Sequence, residues 1–201
     1  RSIRKTGGVV PDDTWPRTWG VVQAVAPTAV ELEVPMVSFH AGFLPDDPSD
    51  ERYQRLLDRT GRIADLFSQH GIAIAFETGQ ETAPTLKTFL EHLDRPNVGV
   101  NFDPANMILY AKGDPVESLQ TIAPHLSQCH IKDAKHTTEP GTWGAETPVG
   151  GGDVDWVGFL QAIKDVDFNG PLVIEREGGD RRIEEVIKAK NVILENAERV
   201  G

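Results

Sequence analysis

Five short apolar runs in this sequence each end in groups that can bind a metal ion or move a proton. "VPMVSFH" (34–40) ends in His40, "IAIAFE" (72–77) in Glu77 and "VGVNFD" (98–103) in Asp103. "SQCHIKD" (127–133) carries His130, Lys132 and Asp133, and "PLVIERE" (171–177) carries Glu175 and Glu177. A single carboxylate after a strand is ordinarily a helix cap or a solvated side chain, and a single histidine is ordinarily a hydrogen-bonded structural residue. Five successive runs with the same kind of ending point instead to a shared metal-centred or acid–base site.

Two glutamates, an aspartate and a histidine drawn from such a set would repel one another strongly at one point unless a cation joined them. Three carboxylate oxygens and one imidazole suit a hard divalent ion, Mn²⁺ or Mg²⁺, with Co²⁺ or Zn²⁺ as the alternatives. Such an ion polarises a carbonyl and its neighbouring hydroxyl. A glutamate on each side of the substrate could then remove and return the adjacent proton, passing through an enediolate.

The elements that must hold these groups are legible from hydrophobic spacing. From Asp50 to Gln69, Tyr53, Leu56, Leu57, Ile63, Leu66 and Phe67 recur at helical intervals, with Asp50 and Glu51 at the positive end and Gly71 as the stop. Thr82 and Pro84 open a second helix, and a third is expected around 115–124. Asp155 caps a fourth that carries Trp156, Phe159, Leu160 and Ile163, and a fifth spans 181–199. Five strands, each followed by a helix, predict a parallel sheet with helices packed outside it.

Glu77, Asp103 and His130 follow one another at near-equal intervals, as in a (β/α)8 barrel whose reactive groups sit at the carboxyl ends of its strands. A complete barrel has eight such units, so this α/β chain is expected to be a TIM barrel lacking its first three strands. Residues 1–33 hold one helix at most, with Thr14 as cap, Pro16 in the first turn and Trp15, Trp19 and Val22 on one face. Position 1 is Arg rather than Met, which fits a chain with residues preceding it. No break in composition divides residues 1–201, so a single domain is expected.

Composition narrows the partners. The 31 acidic residues outnumber the 20 basic ones, for a net charge of -11, which disfavours nucleic acid. No apolar run approaches the length that spans a bilayer, so neither membrane insertion nor secretion is expected. The lone cysteine, Cys129, excludes an internal disulfide and fits a cytoplasmic setting. Strand alternation should turn Cys129 away from the site and into packing.

The stretches "VSFHAGFLP", "IAIAFETG", "VGVNFDPANM", "CHIKDA", "PVGGGDVDW" and "PLVIEREG" resemble the xylose-isomerase-like barrel superfamily, in particular its sugar phosphate isomerase/epimerase group. That resemblance covers about residues 34–178 in the family's order. It implies that Glu77, Asp103, His130 and Glu175 are metal ligands, with Glu77 and Glu175 doubling as the acid–base pair. It implies also that His40, Asn106, Lys132 and Asp133 lie on the substrate side. Asn106 departs from the epimerases, in which a histidine is common at that place, and the Lys132–Asp133 pair departs from them as well. The implied activity is a metal-dependent isomerase or epimerase acting on a small sugar or polyol. A dehydratase of the inosose or dehydroshikimate type, and a metal-binding barrel without catalysis, stay open, as does assembly into a homo-oligomer.

Two further features have alternative readings. The glycines of "PVGGGDVDW" either contact phosphate or supply backbone geometry ahead of Asp155. Trp143 either covers the pocket or packs on the surface.

Overall fold

The computed structural model describes residues 8–139 and 141–201. Helix α1 (Trp15–Glu31) precedes strand β1 (Met36–Phe39), and α2 (Glu51–Ser68) leads to β2 (Ala73–Glu77). Helix α3 (Ala83–Leu93) leads to β3 (Val98–Phe102), followed by α4 (Pro104–Leu109), α5 (Pro115–Ile122) and β4 (Leu126–Ile131). A small hairpin of β5 (Asp133–Lys135) and β6 (Ala145–Thr147) comes next, then α6 (Trp156–Asp165), β7 (Leu172–Ile174) and α7 (Arg182–Val200).

The main sheet is parallel throughout, in the order β1-β2-β3-β4-β7, and the β5-β6 pair is antiparallel. Helices begin where the sequence offers acceptors for otherwise unpaired amides. Asp50 accepts from the Arg52 N–H ahead of α2, Thr82 from Thr85 ahead of α3, and Asp155 from Gly158 ahead of α6. Tyr53, Leu56, Ile63 and Phe67 form the buried stripe of α2, and Gly71, with φ at 69°, turns the chain out of it. The central strands are buried on both faces, which explains their near-continuous apolar sequences.

Three segments differ from the expectation. The run expected to be one strand to Asp133 ends at Ile131, and Asp133 begins the hairpin. The last strand is only three residues long, and α4 follows directly on Asp103, where no helix was expected. Such short elements carry too few residues for periodicity to register. Residues 1–7, part of the segment expected to lack strands, lie outside the described residues.

Candidate metal centre

Strand alternation selects the face on which the reactive groups stand. Phe76 packs outward near Phe89 of α3, and Phe102 stacks on Phe159 of α6 with ring centroids 5.9 Å apart. The residues that follow them, Glu77 and Asp103, therefore take the opposite face. Strand β4 joins that face through an irregularity. Val100 pairs with Leu126 but Asn101 pairs with Gln128, so Ser127 is an extra residue. Gly99 makes room for it, because a Cβ there would lie 1.9 Å from Ser127 Oγ. The one-residue shift turns Gln128, His130 and Lys132 toward the side of Asn101 and Asp103. It sends Cys129 and Ile131 into the helix-side core, where both are buried.

Glu77, Asp103, His130 and Glu175 come together there, each offering a ligand atom within 4.8 Å of the others. His130 Nδ1 lies 3.3 Å from Asp103 Oδ2, 3.3 Å from Glu175 Oε2 and 3.6 Å from Glu77 Oε1. Asp103 is fully buried and also caps α4, its Oδ1 accepting from the Asn106 N–H at 3.0 Å. Lys132 Nζ is 2.8 Å from Glu175 Oε2 and 3.6 Å from Asp103 Oδ2. Burial alone would strip the proton from His130, but hydrogen bonding to Asp103, Glu175 and Glu77 outweighs it and lifts the imidazole to about 11. Burial opposes the charge on Lys132 too, and Asp103 and Glu175 raise it nonetheless. Glu175 shows the reverse balance. Burial would raise it, yet the hydrogen bonds from His130 and Lys132 bring it down to about 2.

The donor set fits a divalent ion. Ligand atoms about 2.0–2.2 Å from a small ion stand roughly 3–4 Å from one another, the scale of the spacings around His130 Nδ1. The oxygen-rich composition matches hard ions, and the imidazole supplies one nitrogen.

The structure places the other expected residues differently from one another. His40 Nε2 is 3.4 Å from Glu77 Oε1, at the edge of the cluster. Asn106 is buried, and its amide nitrogen donates to Glu77 Oε1 at 3.1 Å and to the Thr78 carbonyl at 2.9 Å. It orients the glutamate. Asp133 departs furthest from the expectation of a substrate contact. Its buried carboxylate accepts from the amides of Ala134, Gly150, Gly152 and Val154 and from Trp156 Nε1. Four of these five donors belong to the 150–156 loop, which the carboxylate shapes. Glu177 is exposed, and its carboxylate lies 3.0 Å from Lys132 Nζ.

The same hydrogen bonds favour the backbone-geometry reading of the glycine-rich loop. Gly150 and Gly152 spend their amides on Asp133, and Gly151 donates to the Pro148 carbonyl, which leaves nothing for a phosphate. A Cβ at Gly152 would lie 2.0 Å from Asp133 Oδ1, so only glycine lets the chain pass. After β7, the amides of Glu177 and Gly178 are likewise taken, by the carboxylate of Glu146. Trp143 packs edge-on against Tyr110 with centroids 4.8 Å apart.

Several contributors were invisible in the sequence. Thr78 ties β2 to β3 by accepting the Asp103 N–H at 2.8 Å. Glu81 is buried with its carboxylate on the Gly79 amide, and burial pushes its carboxyl upward. Asn101 and Gln128 stand beneath His130. Each is an ordinary polar residue, and only the register of the sheet reveals what it touches.

Residues 8–196 match the family described as the xylose isomerase-like TIM barrel. The chain belongs to this family. The five parallel strands form a half-barrel arc of the family's fold. The 3-dehydroshikimate dehydratase of Bacillus anthracis is 27% identical over 166 residues, which cover 75% of this xylose isomerase-like chain and 58% of the dehydratase. The ketose 3-epimerase of Arthrobacter globiformis is 29% identical over 122 residues, 57% of this chain and 38% of the epimerase. The crystal structure of a xylose isomerase domain protein from Planctomyces limnophilus superposes with a TM-score of 0.90 at 32% identity, covering 98% of this chain and 72% of that one. The chain thus spans only part of the length of these relatives. Among the described residues, no helix is long and apolar enough to cross a membrane.

Proposed function

We propose that this chain carries the metal centre of an enzyme that shifts a proton next to a carbonyl in a small sugar or polyol, as an isomerase or epimerase. The observation that carries the reading is the approach of Glu77 and Glu175 to one nitrogen, His130 Nδ1, from β2 and from the end of β7, with Asp103 between them. Mn²⁺ or Mg²⁺ is the ion the donor set favours, with Co²⁺ or Zn²⁺ as substitutes, and it supplies Lewis-acid polarisation of a carbonyl oxygen and the adjoining hydroxyl.

Glu77 is oriented by Asn106 and His40, and Glu175 by Lys132. Each glutamate can therefore hold a proton at a defined oxygen, one taking it from the substrate carbon and the other returning it. Two bases from different strands suit inversion of a carbinol centre or transfer of a proton between neighbouring carbons.

A second reading, a dehydratase, rests on Lys132. A buried ammonium 2.8 Å from Glu175 is a donor beside the base, placed to protonate a departing hydroxyl once the neighbouring carbon has lost its proton. The first step is common to both reactions, and only the second expels water. Similarity to both a dehydratase and an epimerase is consistent with that shared step.

The test is deuterium uptake from D₂O at the carbon next to the carbonyl, across a panel of ketoses, inososes and dehydroshikimate, with Mn²⁺ or Mg²⁺ restored after chelation. Glu77→Gln and Glu175→Gln should each abolish uptake while leaving the circular dichroism spectrum unchanged. Wild-type uptake in both variants would refute the assignment. Repeated in ordinary water, a product lighter by one water selects the dehydratase, and a product of unchanged mass selects the isomerase.

A further inference from the structure

Glu175 stands one residue past the end of β7, a strand of three residues at the edge of the main sheet among the described residues. Its amide donates to the Ile131 carbonyl at 3.1 Å, just beyond the last pair of the ladder with β4. So short an edge strand opens easily, yet the side chain that follows it must meet His130 and Lys132 at a fixed place.

The chain after the strand is held from outside the sheet. The Glu146 carboxylate accepts from the Glu177 amide through Oε1 at 3.0 Å and from the Gly178 amide through Oε2 at 2.9 Å. Arg176 lies between two acids. Its Nη1 is 2.7 Å from Glu146 Oε1, an ion pair off the hydrogen-bond axis, and its Nε donates to Glu185 Oε2 at 2.7 Å. All three side chains are largely buried, and a carboxylate in such a place needs a counter-charge. Glu185 belongs to the first turn of α7, so the contacts run from that helix through Arg176 to Glu146.

Glu146 itself comes from β6, opposite Ala134 of β5, and β5 begins one residue after Lys132. The segment that follows β4 therefore grips Glu175 twice. Lys132 Nζ meets its carboxylate at 2.8 Å, and Glu146 holds the main chain two and three residues beyond it.

We propose that Glu146 is a positioning residue for Glu175: neutralised by Arg176, it fixes the 176–178 turn so that the glutamate keeps its place beside His130 and Lys132. This inference rests on the proposed function in taking Glu175 as a ligand of the metal centre.

The experiment joins amide hydrogen exchange of the metal-free protein to Mn²⁺ titration by calorimetry, on the wild type, Glu146→Gln and Glu146→Ala. In the wild type the Glu177 and Gly178 amides should be protected, a result that depends on no variant folding. Glu146→Ala should free both amides while those of β2 and β3 stay protected, and Mn²⁺ binding should weaken by about 10- to 100-fold. Glu146→Gln, with a single side-chain oxygen to offer, should fall between the two. A merely structural role for Glu146 predicts a lower urea midpoint but wild-type Mn²⁺ affinity in the folded variants. That affinity in Glu146→Ala, or unprotected Glu177 and Gly178 amides in the wild type, overturns the proposal. A wild type that binds no Mn²⁺ overturns the metal centre itself, and the role of Glu146 in it falls with that reading.

Discussion

Lys132 lies against Glu175, its Nζ 2.8 Å from Oε2, and reaches Glu177 Oε1 at 3.0 Å. One buried ammonium therefore bridges a member of the carboxylate cluster and an exposed acid at its rim. The arrangement gives Glu175 a permanent counter-charge that does not depend on any ion.

Replacing Lys132 with Met separates the two tasks of that ammonium. A positive charge beside a cation site opposes loading, so Mn²⁺ affinity is expected to rise several-fold in Lys132→Met. Turnover should fall by about 100-fold, because Glu175 loses the group that orients it and the site loses its proton donor. Calorimetry and steady-state kinetics on the same preparations check both halves, and unchanged turnover would remove Lys132 from the chemistry.

In metal-stripped protein, the cluster makes stability depend on pH from two sides. His130 is raised from 6.5 to about 11, so it favours the folded state most fully below 6.5, and that contribution drains away as pH climbs toward 11. Glu175 is lowered from 4.5 to about 2, so its contribution is complete above 4.5 and is lost as pH falls toward 2. Urea midpoints of stripped protein should accordingly be highest between these limits, and His130→Asn should flatten the alkaline limb. Mn²⁺ should reverse that limb, because the ion requires His130 without its proton. Its affinity should climb by up to about tenfold per pH unit, with proton release visible in buffers of different ionisation enthalpy.

Asp133 offers a prediction about folding rather than chemistry. Its removal in Asp133→Ala would leave the amides of Gly150, Gly152 and Val154 and the Trp156 indole without their acceptor. Losing several charge-assisted bonds at a buried site should cost about 3 kcal/mol or more in urea unfolding. Gly152→Ala should also destabilise, since the new methyl would meet Asp133 Oδ1 and the Ala134 carbonyl. A neutral result for Asp133→Ala would return this residue to the substrate side.

The strand ends were the most readable part of the sequence, because alternation of apolar runs with helical stretches is a strong periodic signal and the ionisable residues interrupt it. Helix starts were readable too, since Asp50, Thr82 and Asp155 act through local hydrogen bonds. Local signals fail for groups whose partners lie on other strands. Asn106 and Asp133 follow reactive positions closely and therefore look like pocket residues. One spends its amide on Glu77 across the sheet, and the other collects amides from a loop beginning seventeen residues away. The β5-β6 hairpin escaped notice for a related reason: three-residue strands have no period to detect.

Ser127 has no counterpart on β3 in the ladder that joins the two strands. Side chains on a strand alternate like odd and even numbers, and this single residue changes the parity of everything after it. Were Ser127 instead paired with Asn101 in an unbroken ladder, Cys129 and Ile131 would face the carboxylates, while His130 and Lys132 would be thrust among the rings of the outer layer. The hydrogen-bonded sheet could survive that slip with its chemistry gone. The sidedness of this strand is thus governed by arithmetic modulo two: a register slip of two residues preserves the site's face, and a slip of one inverts it.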